Sequence, residues 1–368
     1  MKKQISSLDL HFLVKELKML EGSRVDSIHQ RENNILFQFY KQNIGKKMLN
    51  ILVGEGMFLT EEKEDYREPG NFSMVLRKHL SASKLESIRQ INSERIAELA
   101  FSSKSGGKNL YLEFFGKGNA VLCDEHGMIV NALQHHEFKD RSIMPKIKYS
   151  HPEMKHNFLS LNPDILKELF GHSKIDSLVK CLAIEIGLGG AYSEEICLLS
   201  GVDKNISPNI IEERQIKRIY SAITKLVNSK IDAKVISNNG EIIAVCPFSM
   251  ELYRDYEAKN FDSFSEALEF FYSFFRPKIK SEHEKKIEKL RNRIQEQSAA
   301  IESLSKEAQE LREKGEFIYH KYSLVKEILE EVNKASSKLP WKEIKERLKG
   351  HKIIKEVNEK ERKVVVEV

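Results

Sequence analysis

The chain is poor in residues that break secondary structure, with 18 glycines and 8 prolines in 368 residues, about 7% against a usual share of about 12%. Charge is abundant instead: Asp, Glu, Lys and Arg make up 31%, against about 25% in an ordinary domain. That balance predicts long solvated helices. Cysteine is scarce, and Cys123, Cys181, Cys197 and Cys246 stand too far apart for a C-x2-C knuckle, so neither structural zinc nor disulfides are expected. No apolar run approaches the roughly 18 residues that a membrane span requires. The opening Lys2-Lys3 leads into Ser6, Ser7, Asp9 and His11, which do not make a secretion signal. A cytoplasmic protein with no membrane partner is expected. With 60 basic and 55 acidic residues the net charge is only +5, too mild to coat nucleic acid by charge alone, so any such contact has to be local and shaped.

Catalytic signatures are missing as well. No G-x4-G-K-[ST], G-x-G-x-x-G or G-x-S-x-G occurs, and the His135-His136 doublet has no H-x3-H or H-E-x-x-H around it. No metal and no cofactor are expected, and the motifs do not support an enzyme.

What is present falls into three textures, in an α+β chain. Over 1–160, Leu8, Phe12, Leu13, Leu17 and Leu20 recur at helical spacing. Alternating runs follow at Ile35 to Phe39, Met48 to Val53, Leu110 to Phe114 and Asn119 to Leu122, and they predict an antiparallel sheet. A short amphipathic helix over 71–80 carries Arg77 and Lys78. Over 161–275 the pattern reads as almost wholly helical. A helix over 175–186, the turn Gly187-Leu188-Gly189-Gly190 and a helix over 191–200 have the order of a helix-hairpin-helix. Such a turn either lets backbone N–H groups approach a phosphate or simply permits close helix packing. Over 276–334 a heptad seam runs from Ile287 through Leu290, Ile294, Ile301, Leu304, Leu311, Ile318, Tyr322, Val325 and Leu329 to Val332, a coiled-coil pattern. Gln297 and Gly315 are its weak positions, and Gly315 is expected to mark a bend. An arm from Ser281 to Asn333 would be about 80 Å long and needs a partner, so self-association through the coiled coil is expected. Over 335–368 a helix at Trp341 to Lys349 and a strand at Lys363 to Val368 read as the start of a middle domain cut short.

At this point the residues carry a family resemblance. Pro69-Gly70-Asn71-Phe72-Ser73-Met74-Val75-Leu76-Arg77-Lys78-His79-Leu80, then Ile88-Arg89-Gln90, Glu94-Arg95-Ile96, and residues 111–116 and 119–122 resemble the N-terminal domain of the NFACT family. That family includes bacterial RqcH, eukaryotic NEMF and archaeal relatives. The resemblance continues through residues 187–197, the heptads, Ile318-Tyr319 to Tyr322 and Trp341, and is closer to the archaeal and eukaryotic branch.

The resemblance implies an N-domain like that of formamidopyrimidine-type glycosylases, and no C-terminal NFACT-R domain. It implies a ribosome quality-control factor that binds the obstructed large ribosomal subunit and tRNA and directs mRNA-free C-terminal tailing, with the ribosome making each bond. The family's tRNA-binding Asp-Arg pair stands here as Glu94-Arg95, with Arg77 and Lys78 as neighbours. Its Glu-Ile-Met-like patch stands as Glu113-Phe114-Phe115. From sequence, Arg95 either grips RNA or closes a turn as an ion pair with Glu94, and the two rings either stack on bases or fill the core. A Lys2-Lys3 start and the lack of a zinc finger leave glycosylase chemistry without its Pro-Glu nucleophile and acid. The alternatives are a coiled-coil adaptor without tRNA activity, or a glycosylase-like nucleic-acid enzyme.

Overall fold

A computed structural model describes residues 4–61, 70–103, 106–138, 141–152, 156–275 and 282–367. Lys2, Lys3, Pro69, Arg276, Ser281 and Val368, which figure in the expectations above, lie outside the described residues. The chain divides into two compact units, residues 1–279 and 280–368.

The first unit opens with helix α1 (Ser7–Leu17), closed at its start by a capping box in which the Ser6 hydroxyl accepts from the Asp9 N–H and the Asp9 carboxylate accepts from the Ser6 N–H. Caps of this kind are worth about 1 kcal/mol. Strands β1 (Arg24–Arg31), β2 (Asn34–Lys41), β3 (Gly45–Leu52) and β4 (Gly56–Thr60) follow. Then come helix α2 (Asn71–Leu80) and strands β5 (Lys84–Gln90), β6 (Ile96–Ser103), β7 (Gly106–Glu113), β8 (Asn119–Asp124) and β9 (Ile129–Ala132). The sheet order is β4-β3-β2-β1-β5-β6-β7-β8-β9. All the expected strands and the helix over 71–80 are present.

This element order is a helix and four-stranded meander, made twice, with β9 added at the edge of the second beside β8. The two halves meet where Arg24 pairs with Lys84, and the backbone bonds there are reciprocal: Val25 N–H donates to Ser83 O at 2.9 Å and Leu85 N–H to Ser23 O at 2.8 Å. Both first strands carry a bulge at the same place, between Val25 and Ser27 and between Leu85 and Ser87. The sequence repeats accordingly, Gly22-Ser23-Arg24-Val25-Asp26-Ser27-Ile28-His29-Gln30 against Ala82-Ser83-Lys84-Leu85-Glu86-Ser87-Ile88-Arg89-Gln90. Gly22 and Ala82 open the two copies, both with positive φ. Each closing glutamine reaches the helix of the other half: Gln30 Oε1 accepts from Ser73 N–H in α2 at 2.8 Å, and Gln90 Nε2 donates to Ser7 O in α1 at 2.9 Å. The turns after β3 and β7 also meet, since a Cβ on Gly118 would lie 2.1 Å from the Gly54 Cα. Only glycine lets two backbones approach so closely. Phe37 stacks on Phe101 at 6.2 Å between the halves.

A small hairpin of β10 (His136–Glu137) and β11 (Ser142–Ile143) follows, then helices α3 (Pro163–His172), α4 (Leu178–Ile184), α5 (Gly190–Ser200) and α6 (Glu213–Val227). The stretch up to Phe275 is not almost wholly helical, however. Strands β12 (Lys234–Asn238), β13 (Glu241–Cys246) and β14 (Glu257–Asn260) form a three-stranded sheet before helix α7 (Phe264–Phe275). The reason is local: Asn239 and Gly240 both have positive φ, the backbone of a tight hairpin turn, between two runs rich in β-branched residues. This part shares one core with the duplicated sheet. Phe12 of α1 packs edge-on against Phe248 at 5.1 Å. Tyr192 of α5 donates its hydroxyl to Asp9 Oδ1 at 2.5 Å, and Glu16 of α1 caps α7 through Phe264 N–H at 2.9 Å.

The second unit consists of helices α8 (Glu282–His320), α9 (Tyr322–Ser336) and α10 (Trp341–Arg347) and the hairpin of β15 (Ile354–Asn358) and β16 (Lys363–Val366). Gly315 does not bend the arm. α8 runs through it, because one glycine in an exposed helix costs only about 1 kcal/mol, and the helix breaks at Lys321 instead (φ −107°, ψ 21°). The apolar stripe is exposed, Ile301 by 65% and Leu304 by 64%. No helix among the described residues is long and apolar enough to cross a membrane.

His11 in α1 offers a test of this packing. Its Nε2 is buried without a partner, and burial, helped by Lys15, pushes its pKa down from an ordinary 6.5 to about 4. The unfolded chain therefore takes up this proton first as pH falls. The stabilisation is complete above pH 6.5 and is lost as pH drops through 4, by about 2 kcal/mol after discounting for solvent around the ring. Urea unfolding at pH 7 and pH 4.5 should show a smaller pH-dependent loss in His11→Leu than in the wild type. Equal losses would remove His11 as the cause.

Candidate nucleic-acid interface

Glu94 and Arg95 lie in the turn between β5 and β6, and the repeat explains why that turn is held. Gln90 Nε2, besides bonding Ser7, donates to Glu94 O at 2.8 Å, while Arg95 O accepts from Phe114 N–H at 2.8 Å. The Arg95 guanidinium donates to Gln4 Oε1 at 3.2 Å, and Gln4 Nε2 donates to Gly116 O at 2.8 Å. The start of α1, the Glu94-Arg95 turn and the turn after β7 therefore come together around Gln4. Among the described residues no ion pair joins Glu94 to the Arg95 guanidinium. Burial pushes the Glu94 carboxyl upward against the opposing pull of Arg95, His151 and Arg141, and burial lowers the Arg95 guanidinium with Glu94 opposing.

The Glu113-Phe114-Phe115 patch divides by the alternation of a strand. Phe114 is fully buried in the core, so of the two open readings of its ring the core reading holds. Glu113 points to the other face, where its carboxylate accepts two bonds from Arg141, at 2.7 and 3.0 Å, and one from the Tyr149 hydroxyl at 3.0 Å. This pair is nearly dry, with side chains 11% and 4% exposed for Arg141 and Glu113. Burial and the adjoining carboxylate push the Tyr149 hydroxyl pKa well up. Phe115 is half-buried, with the Arg141 guanidinium 5.6 Å from its ring centre and Phe138 on that guanidinium at 5.1 Å.

The Gly187-Leu188-Gly189-Gly190 turn reaches the same neighbourhood. Gly189 lines a cavity of about 90 Å³ together with Gln4, Asp9 and Tyr192. Gly187 and Gly189 have positive φ, Leu188 is buried, and the amides of Leu188 and Gly189 donate to Leu182 and Ala183 of α4. Two of the four turn amides are thus spent on helix packing. Arg77 and Lys78 stand apart: Arg77 Nε donates to Ile28 O of β1 at 2.6 Å, and Lys78 is exposed on α2. No bond among the described residues joins either to Glu94 or Arg95. Sequence reasoning missed Gln4, Arg141 and Phe138, and named Gln90 only within a family motif, without a role at the site. Of these, only Gln90 carried a sequence signal, its place at the end of the nine-residue repeat.

These features define an α+β protein with a duplicated antiparallel sheet, a helical lobe fused to its core and a long helical arm. Residues 6–362 match the family described as NFACT N-terminal and middle domains, and the chain belongs to the NFACT family. It is 27% identical, over all its length and 58% of the relative's, to the archaeal Rqc2 homolog aRqcH of Methanocaldococcus jannaschii. It is 39% identical over 36% of its length to ribosome quality control complex subunit 2 of Saccharomyces cerevisiae, covering 13% of that protein. The chain spans at most 58% of the length of these two relatives. Its fold is similar to the crystal structure of the fibrinogen binding protein from Staphylococcus aureus, at TM-score 0.60 and 22% identity over 73% of this chain and 98% of that one.

The Glu113–Arg141 pair makes a direct prediction. Arg141→Ala leaves a carboxylate buried without its cation, and such a loss costs about 3–5 kcal/mol. The midpoint of urea unfolding should fall accordingly, and Glu113→Gln with Arg141→Met together should recover much of the loss. A single variant as stable as the wild type would contradict the pairing.

Proposed function

We propose that this chain is the tRNA- and large-subunit-binding part of a ribosome quality-control factor. It would act on the large ribosomal subunit of cytoplasmic ribosomes obstructed by a stalled nascent chain, positioning tRNA for mRNA-free tailing while the ribosome makes the bond. Family membership and the names of the relatives support the pathway. The observation that carries the tRNA part is Arg95, anchored by one bond to Gln4 rather than closed on Glu94. That leaves most of its five N–H donors for a phosphate, with the Glu94 carboxylate beside it as an acceptor for a ribose hydroxyl or base edge. Gln4, which accepts from Arg95, also lines the cavity bounded by Gly189.

The test is Arg95→Ala, measuring total-tRNA affinity by mobility shift together with thermal unfolding. Loss of a charged contact should weaken tRNA binding about tenfold while stability falls by less than about 1 kcal/mol. Unchanged affinity with lowered stability would make Arg95 a structural residue only.

The exposed seam on α8 favours a further element of the same reading, a helical partner lying along the arm. Stripes of this size are normally covered. Light scattering should show mass rising with concentration for the full chain and constant mass for a version ending at Phe275. A full chain monomeric at all concentrations would refute self-association.

A further inference from the structure

Phe138 has no role in the fold that its surroundings account for. It sits at the tip of the β10–β11 hairpin with 51% of its surface exposed, although a phenylalanine at a hairpin tip is ordinarily replaced by a polar turn residue. Phe138 is nevertheless well held. Phe138 N–H donates to Arg141 O at 2.8 Å, and Arg141 is fixed by its two bonds to the buried Glu113. The guanidinium plane is thereby held between Phe138 and Phe115, 5.1 and 5.6 Å from the two ring centres. The His136 ring lies 5.5 Å from Phe138, tilted by 49°, and His136 itself is oriented through Gln134 at 3.1 Å. Glu113, which holds Arg141, pairs with Ile96, and Phe114 N–H donates to Arg95 O at 2.8 Å, so this arrangement borders the Glu94-Arg95 turn.

Because Glu113 already satisfies its charge, Arg141 is poorly suited to gripping a phosphate. Its remaining use is as a flat, rigid, polarising backing for an aromatic ring. A pre-ordered aromatic at a tip, backed by a guanidinium and flanked by an imidazole, presents a stacking surface at little entropic cost. The occupant it suits is a flat, electron-rich heterocycle. A duplex hides its bases in the stack, so the ligand has to offer an unpaired one.

We infer that Phe138, backed by Arg141 and Phe115, is a stacking platform for an unpaired nucleobase of the tRNA. This rests on the tRNA reading above and extends it from the phosphate at Arg95 to a base at a second point. An apolar protein side chain is the competing occupant, and the test separates the two.

The experiment measures total-tRNA affinity of the full chain against ionic strength for the wild type, Phe138→Leu, Phe138→Ala and Phe138→Trp, with thermal unfolding of each. Stacking on one base is worth a factor of about 5 to 150 in affinity. Leu and Ala should lose a factor in that range, and Trp should retain or improve binding. The salt slope should stay unchanged, since no phosphate contact is removed, whereas Arg95→Ala should lower it. Leucine keeps an apolar side chain of similar bulk, so equal loss in Leu and Ala at unchanged melting temperature identifies the ring's π-face as the active feature. Wild-type affinity in Phe138→Leu, or a loss that merely follows the melting temperature, overturns the inference and leaves the tRNA reading standing. A wild-type chain that does not bind tRNA at all overturns both.

Discussion

The amide of Gln90 ties the start of α1 to the turn that follows β5, and the arrangement of the interface depends on it. One Nε2 group donates to Ser7 O, Ser7 Oγ and Glu94 O at 2.8 to 3.0 Å. Ser7 Oγ in turn donates to Ser93 O. A primary amide has only two N–H bonds, so these three acceptors share them, and the group works as a clamp at one point. From that point Gln4 is placed to receive Arg95, and Asp9 is placed both to cap α1 and to accept from Tyr192 of the helical lobe. Losing the clamp would loosen the turn, the helix start and the approach of α5 together.

The duplication explains both the robustness of this arrangement and where function has been added. Two copies of one helix-and-meander unit bury each other's apolar faces, and their reciprocal bonds at Ser23 and Ser83 fix the join. Where the first half has Asn33 O accepting from Val53 N–H, the second has Arg95 O accepting from Phe114 N–H. The turns differ in length, however: two residues separate β1 from β2 and five separate β5 from β6, and the longer turn carries Glu94 and Arg95. The charged groups are therefore borne on a turn lengthened relative to its counterpart and held by strands whose pairing the other half reproduces, as expected when a site is built on rigid elements rather than on free loops.

The second unit obeys different physics. Its small core includes Ile344, Ile354 and Val357, while α8 extends through 39 residues with its apolar stripe exposed. A helix of that length persists through local propensity and (i, i+4) pairs such as Lys306 with Glu302 and Arg312 with Glu316, each worth only a few tenths of a kcal/mol.

Sequence by itself determined the local elements, because periodicity and turn chemistry act over a few residues. Two strands of each meander (β2, β3, β7 and β8), the helix at Asn71–Leu80, the glycine turn before α5 and the apolar stripe of the arm were legible that way, while β1, β4 and β5 were not. The Asn239-Gly240 hairpin was legible in the same terms but was outweighed by the helices around it, and Gly315 was given more weight than about 1 kcal/mol warrants. The family was legible from the order of short motifs. Tertiary structure alone decided which side chains of those motifs face solvent. Phe114 and Phe115 are neighbours in sequence, yet one is core and the other stands over Arg141, since adjacent residues leaving a strand point to opposite faces. It also separated Arg77 and Lys78 from Glu94 and Arg95, and brought in Gln4, Arg141 and Phe138 from positions far along the chain. Contacts of that kind depend on how the two halves close on each other, and no short window of sequence contains that information.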